Sequence, residues 1–246
     1  MTDCKFLPGV PVQHVLGRLA KAGGNEVETG KLASPESSAA LAVNCFGWFI
    51  PRPELLPPFP SLRDAFPAEL VDVEYQARFP WAGGRHPWLD AVVITESHLI
   101  GVESKRFEPF RDKKSVSLSS AYDRLVWGDA MGPYEAMRDR LRSGETTFKY
   151  LDAAQLVKHA FGLVTDARRT SKRPVLVYLF AEPAELAGKA IAPAILAQHR
   201  DEISDFAGAV AGAEVTFDAL SYREWIRSFE GDAATHGQRI LDTFAP

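Results

Sequence analysis

Three polar side chains in two neighbouring apolar segments have the types and spacing to do chemistry together. Glu103 and Lys105 stand two residues apart in the segment 98–106, and Asp90 stands in the segment 89–95. Side chains alternate between the two faces of a strand, so Glu103 and Lys105 would leave the same face. If Asp90 shares that face, two carboxylates lie close together, and they repel unless a cation or a proton lies between them. The pattern therefore predicts a divalent-cation site beside an ammonium group.

The loop between the two segments decides whether Asp90 shares the face. A two-residue turn at 96–97 would set Asp90 opposite Glu103, with Cβ atoms about 5 Å apart. A four-residue loop keeps this register, and a two-residue turn moved to 97–98 pairs Asp90 with Lys105 and keeps all three on one face. A regular three-residue loop would turn Asp90 away from Glu103. The predicted site thus requires a loop of even length.

Such a site would suit hydrolysis of a phosphate ester. Carboxylate oxygens prefer Mg²⁺ or Mn²⁺, which keep water and phosphate oxygens as further ligands. Asp90 and Glu103 would bind the cation, and the backbone carbonyl of Ser104 could be a third ligand. A cation held there can lower the pKa of a bound water and neutralise charge on the phosphate. Lys105 would orient the attacking water and stabilise the pentacovalent phosphate, so Asp90, Glu103 and Lys105 are the predicted catalytic residues.

Four further residues could assist, and each also has a plainer explanation. Glu36 could be an outer metal ligand or only an acidic residue in the first turn of a helix. Glu74 could join the acidic group or be an edge-strand charge. Gln155 and Lys158, three residues apart on a predicted helix, could contact phosphate or only solvent. His159 is interpreted as a structural histidine.

Periodicity and capping signals predict the elements that position these residues. Ser34 as N-cap and Pro35 at the first helical position would open a buried helix. Asp152 would cap another helix, and Ser221 with Glu224 forms a potential capping box. The all-apolar segment 175–180 is typical of a central strand buried on both faces. The predicted order is a helix from 34, strands at 71–79, 89–95 and 98–106, helices at 121–127, 133–142 and 152–165, a strand at 175–180, a helix at 192–211, a strand at 214–220 and a helix from 221.

Composition limits the class of protein. The chain has 246 residues with 46% hydrophobic and 24% charged residues, values typical of a globular protein, and we expect one α/β (α+β) domain over 1–246. Its net charge of −4 neither indicates nor excludes nucleic-acid binding. Two cysteines, Cys4 and Cys45, cannot form a disulfide framework or a four-cysteine zinc site. With no membrane-length apolar run and no apolar N-terminal signal, we expect a cytoplasmic protein.

The same residues carry a family resemblance. Leu89-Asp90, twelve intervening residues and Glu103-Ser104-Lys105 resemble the signature of the PD-(D/E)XK nuclease superfamily, although Leu89 stands where the family has proline. The predicted element order from about 34 to 182 is similar to that family's core of a helix, a three-stranded meander, a helix and a further strand, with 183–246 as an elaboration. Within the superfamily, 37–40 (Ser-Ser-Ala-Ala) and 44–47 (Asn-Cys-Phe-Gly) resemble uncharacterised bacterial restriction-endonuclease-like proteins.

The resemblance implies a function and its alternative. In this family the Asp and Glu bind the metal and the Lys assists the water, which implies a Mg²⁺- or Mn²⁺-dependent endonuclease acting on DNA in restriction or defence. The expected partner is nucleic acid, with DNA as the expected substrate, although the sequence does not distinguish DNA from RNA. No membrane is expected, and a homodimer is one assembly that fits. The alternative is a catalytically silent nuclease-like module that binds nucleic acid or protein. An unrelated α/β enzyme has no support, since the chain contains no phosphate-binding loop, nucleophile elbow or dinucleotide-binding glycine motif.

Overall fold

The computed structural model describes residues 6–23, 28–34 and 36–246, which form helices around a mixed sheet. The described strands are β1 (Ala68–Gln76), β2 (Trp88–Thr95), β3 (His98–Lys105), β4 (Arg173–Phe180), β5 (Glu185–Leu186), β6 (Lys189–Ala190) and β7 (Thr216–Ser221). The described helices are α1 (Val12–Ala22), α2 (Ser38–Gly47), α3 (Glu108–Arg111), α4 (Gly132–Ser143), α5 (Ala153–Thr170), α6 (Pro193–Ala209), α7 (Tyr222–Ile226) and α8 (Gly231–Phe244).

The main sheet has the order β1-β2-β3-β4-β7. β1, β2 and β3 form an antiparallel meander, and β4 and β7 continue the sheet in parallel with β3. β4 is buried along its length after Arg173, which confirms that 175–180 is a central strand. β5 and β6 form a separate hairpin. A mixed sheet flanked by helices confirms the predicted fold class, a restriction-endonuclease-like core.

Each face of this sheet packs against its own set of helices. On the α2 face, Val93, Ile100 and Val177 pack with apolar residues of α2, α7 and α8. On the α5 face, Val92 and Leu99 pack with apolar residues of α4, α5 and α6. Alternate residues of one strand thus enter different cores, as strand geometry requires.

The helix that opens the core starts later than predicted. α2 begins at Ser38, and the Ser37 side chain caps it by accepting a hydrogen bond from the Ala40 amide at 3.0 Å. The predicted cap, Ser34, instead follows a short 3₁₀ turn and accepts the Glu36 amide at 3.3 Å, so the expected start there was wrong. Pro35 lies outside the described residues. Serine can form either local motif, so sequence alone does not choose between them.

Further along the chain, one predicted helix is absent, and two described helices, the short α3 and α8, were not predicted. Residues 121–127 form only a 3₁₀ turn at Ser120–Asp123, because Trp127 turns into the core and stacks on Phe161 with ring centroids 4.2 Å apart. α8 was not predicted at all. By contrast, Asp152 caps α5 and the capping box of Ser221 and Glu224 opens α7, as predicted. Within the described ranges, no helix has the length and apolar character needed to cross a membrane.

Candidate active site

The strands that carry the predicted residues separate at the level of Asp90. β2 and β3 pair from Ile94 opposite Leu99 to Ala91 opposite Val102, which is the register of the two-residue turn at 96–97. Beyond Ala91, β2 stays paired with β1, while β3 stays paired with β4 to its end. A gap therefore opens between β2 and β3 where the ladder would otherwise have continued with Asp90 and Glu103.

The Asp90 carboxylate fills part of this gap. Its Oδ2 accepts a hydrogen bond from the Ser104 backbone amide at 2.6 Å, in place of a β2 carbonyl. In an extended strand the N–H and C=O of one residue point to the same side, and those of the next residue point to the other. The Lys105 carbonyl accepts the Ala181 amide at 2.8 Å on the β4 side, so the Ser104 carbonyl faces the gap with Asp90.

Glu103 leaves β3 on the α5 face and is held by two nitrogens. It is 1% exposed, its Oε1 contacts the Lys105 ammonium, and its Oε2 lies 3.1 Å from His159 Nδ1 on α5. Burial alone would raise the pKa of Glu103, but the nearby Lys105 and His159 outweigh burial and lower it to about 2. Glu103 is therefore a buried carboxylate that stays ionised.

Lys105 is held as a cation by the same cluster. Burial would lower the pKa of Lys105, but the charges of Glu103, Asp90 and Glu108 raise it above its ordinary value. An ammonium with a raised pKa keeps its proton at neutral pH. Lys105 can therefore donate hydrogen bonds and stabilise negative charge, but it is poorly suited to removing a proton.

Asp90 has the least compensated charge of the three. Burial and the charge of Glu103 raise its pKa well above the ordinary value, beyond what Lys105 and the Ser104 amide restore. The two nitrogens closest to the cluster, on Lys105 and His159, both contact Glu103 rather than Asp90. An added cation would gain most beside the Asp90 carboxylate.

A strained residue in β1 lies opposite Asp90. Glu74 stands between Val73 and Tyr75, which pair with Ala91 and Leu89, and its φ of +51° is unusual for a residue with a side chain. Arg18 of α1 donates to the carbonyls of Val73 and Glu74 at 2.9 and 2.6 Å, which holds the backbone there. The Glu74 charge also contributes to the raised pKa of Asp90. Glu74 thus belongs to the acidic group around the gap.

The sheet faces change across this strained position. Val73 and Ala91 belong to the core of the α2 face, whereas Leu89 belongs to that of the α5 face and Tyr75 packs against it. Regular alternation would have kept Ala91 and Leu89 on one side. The irregularity lies at Glu74 and Asp90, so it belongs to the site itself.

The donor set fits a hard cation only with water as additional ligands. Among the described residues there is no group of three or more His, Cys, Asp or Glu side chains that could hold a metal ion. Two carboxylates and the Ser104 carbonyl would supply the protein oxygens. Each Glu103 oxygen faces a nitrogen but has a further lone pair, and Mg²⁺ usually retains several waters.

The four predicted accessory residues occupy different positions relative to the site. Glu36 lies 3.5 Å from Arg111, and Glu108 rather than Glu36 influences Lys105 directly. Glu74 lies opposite Asp90, as described above. Gln155 and Lys158 both line a cleft beside the site.

This cleft has a volume of about 720 Å³ and lies between α5, the β1–β2 loop and the segment 117–122. His159 lines it and also contacts Glu103, so the cleft adjoins the charged cluster. The interpretation of His159 as a structural histidine missed this contact. Its spacing from Gln155 and Lys158, at i, i+3 and i+4 on one helix face, is the signal that could have found it.

The comparisons with known proteins identify the family. A family model described as "Restriction Endonuclease associating with ARP" matches residues 6–224, a range that includes the meander, α5 and β4. No curated protein and no solved structure matches the chain significantly. The chain therefore belongs to this restriction-endonuclease family, as the resemblance in its sequence implied.

Proposed function

We propose that this protein is a Mg²⁺- or Mn²⁺-dependent endonuclease that hydrolyses phosphodiester bonds of DNA. One observation carries the proposal: Asp90 lies at the gap where β2 and β3 separate, beside the buried pair of Glu103 and Lys105. Membership of a restriction-endonuclease family supports the same reaction class. The proposal includes a metal requirement, DNA as the substrate and a role in restriction or defence.

Asp90, Glu103 and the Ser104 carbonyl would hold the cation. When bound, the cation would lower the pKa of a water molecule and neutralise charge on the phosphate. The chain favours its binding because the carboxylate of Asp90 is poorly compensated and a buried anion is costly without a partner.

The remaining steps depend on the protein's own side chains. Lys105 stays protonated, so it would donate a hydrogen bond to the attacking water or to a phosphate oxygen as negative charge grows there. Glu103 positions this ammonium through their direct contact. His159 Nδ1, 3.1 Å from the other Glu103 oxygen, would help to position the carboxylate. The deprotonation of water would therefore not fall to Lys105.

The test is cleavage of plasmid and linear DNA with Mg²⁺, with Mn²⁺ or with a chelator. Cleavage should require the metal, and Asp90→Asn and Glu103→Gln should each lower the rate at least about 100-fold. Glu96→Gln is the matched control, because Glu96 is an exposed carboxylate at the other end of the same hairpin. Its rate should equal that of the parent protein.

A second measurement separates an enzyme from a silent module. Calorimetric titration with Mn²⁺ should show binding that is lost in Asp90→Asn and kept in Glu96→Gln. If the parent protein binds DNA but neither binds Mn²⁺ nor cleaves, the alternative of a catalytically silent module is correct and the proposal fails.

A further inference from the structure

We propose that the cleft beside the active site binds an unpaired nucleotide base, so that the preferred substrate carries an unstacked nucleotide next to the scissile phosphate. This inference rests on the proposed function, because it specifies the substrate of the same site.

The position of the cleft is the first argument. His159 lines the cleft and lies 3.1 Å from Glu103 Oε2. Trp88 also lines it and precedes Asp90 by two residues in β2. A group bound in the cleft would therefore be separated from the Glu103 carboxylate by the His159 side chain alone.

The aromatic side chains of the cleft are the second argument. Four aromatic side chains line it, namely Phe79, Trp81, Trp88 and Tyr122. The rings of Phe79 and Trp81 stack with centroids 4.9 Å apart. The exposed guanidinium of Arg124 lies 4.4 Å from the Trp81 ring centroid, so a planar group already stacks there. Aromatic rings and arginine bind single-stranded nucleic acids in this way, because every base offers a π-face.

The polar side chains of the cleft suit the rest of a nucleotide. In the described part of the chain, the Gln155 amide and the Lys158 ammonium have no hydrogen-bond or ion-pair partner, and both face the cleft. An amide can donate to and accept from a base edge, and an ammonium can pair with a phosphate. His86 Nδ1 accepts the Phe79 amide at 3.1 Å, which leaves the proton on Nε2 as a further donor.

Charge and size agree with this occupant. The cleft is lined by two basic side chains, Arg85 and Lys158, and by one acidic side chain, Asp152, whose carboxylate already caps α5 by accepting the Gln155 amide at 2.9 Å. The cleft is thus basic on balance. Its volume of about 720 Å³ is that of a small-molecule site and admits one or two nucleotides, not a duplex.

A preference among substrates follows from these properties. A base in a duplex is stacked and paired, and it must leave the helix before it can enter a pocket. Leaving the helix costs least where the base is already unpaired. The protein should therefore bind a single strand, or a duplex with an extrahelical nucleotide, more tightly than a perfect duplex.

The test measures binding by fluorescence anisotropy in a chelator, where no cleavage occurs. Three labelled DNAs of one sequence are compared: a single strand, a perfect duplex and a duplex with one unpaired nucleotide. We expect the first and third to bind at least tenfold more tightly than the second. Trp81→Ala should remove most of this difference, Trp81→Phe should keep it, and Gln155→Ala should reduce it severalfold.

Leu70→Ala is the control, because Leu70 is an exposed apolar residue on the edge strand β1 that does not line the cleft. It should leave all three affinities unchanged. Equal affinity for the three DNAs overturns the inference, and so does a preference that survives both Trp81→Ala and Gln155→Ala. Cleavage of duplex DNA without any preference would leave the proposed function standing and the inference refuted. A preference that depends on Trp81, found without any cleavage, would support base binding in the cleft and refute the proposed function.

Discussion

The two faces of the sheet use the same strand for different purposes. On the α2 face, Ser104 of β3 forms a neutral hydrogen bond with the Tyr222 hydroxyl at 2.6 Å inside a closed aromatic core. On the α5 face, the neighbours Glu103 and Lys105 form a buried charged pair next to an open cleft. Alternation along a strand thus places a stabilising face and a reactive face one residue apart.

The two faces differ in how their buried polar and charged groups are paired. On the α2 face, neutral groups pair with each other, as in the Asn44 carbonyl 3.1 Å from His236 Nε2. The α5 face keeps ionised groups away from water and leaves the charge of Asp90 poorly compensated. Buried charges are weak sources of stability, so the cluster of Asp90, Glu103 and Lys105 points to function on the α5 face.

The largest expected effect is that of Lys105→Ala on the α5 face. We expect a loss of activity of about 100- to 1000-fold, because a fixed positive charge at the phosphate is removed. The substitution should also lower the free energy of unfolding. Glu103 would lose its closest partner, and breaking a buried ion pair costs about 3–5 kcal/mol. Activity assays and urea unfolding measure the two effects, and a fully active variant would contradict the assigned role.

A pH experiment compares one buried histidine from each face. Burial lowers the pKa of both His199, on the α5 face, and His236, on the α2 face, from 6.5 to about 4. Between pH 6.5 and 4 the unfolded chain binds more protons than the folded one. The contribution of these histidines to the free energy of unfolding is therefore fully present above pH 6.5 and is lost as the pH falls towards 4. Each histidine should account for roughly 3 kcal/mol at the lower end.

Urea unfolding at pH 7 and pH 5 of the parent, His199→Gln and His236→Gln proteins measures this dependence. Each variant should lose less stability between the two pH values than the parent, since one titrating group is absent. An unchanged difference in a variant would show that its histidine does not titrate as described.

Two helical glycines, one on each face of the sheet, test how tightly the helices pack. A Cβ at Gly162 of α5 would lie 2.8 Å from Pro87 Cγ and 3.0 Å from the Ala77 carbonyl oxygen, which is backbone and cannot yield easily. A Cβ at Gly237 of α8 would lie 2.8 Å from Ile226 Cγ2, a side-chain atom. Gly162→Ala should therefore destabilise the fold by about 1–3 kcal/mol, and Gly237→Ala by less.

The glycine variants also report on the site. A shift of α5 would move His159 and the cleft, so Gly162→Ala should reduce activity, whereas Gly237→Ala should not. Chemical unfolding and a cleavage assay under conditions where both variants are folded give the two readouts. Equal effects of the two substitutions would show that the α5 face tolerates displacement as well as the α2 face.

The smallest expected effect is that of Tyr222→Phe. It leaves the buried Ser104 hydroxyl without its partner and should cost about 1 kcal/mol of stability. Activity should change less than threefold, because the lost bond lies on the α2 face. Ser104→Ala is the matched control, and a tenfold loss of activity in Tyr222→Phe alone would mean that this bond positions the Ser104 carbonyl.

Local sequence patterns were enough to predict several elements of this protein. A two-residue turn is enough to give the register in which β2 and β3 pair from Ile94–Leu99 to Ala91–Val102, and the six apolar residues of 175–180 are enough to predict a central strand. The cap of α5 at Asp152 and the capping box at Ser221 are also local. That 1–246 forms one domain, with 183–246 as an elaboration, stays a prediction.

Other features depend on contacts between residues that are distant in the sequence, so only the tertiary structure shows them. Ser37 rather than Ser34 caps α2, and Trp127 leaves a helical pattern to stack on Phe161. His159 meets Glu103 across 56 positions of the chain, and Glu74 adopts a left-handed backbone that Arg18 holds from α1. Local periodicity contains no information on such contacts, because each is stabilised by groups that only the folded chain brings together.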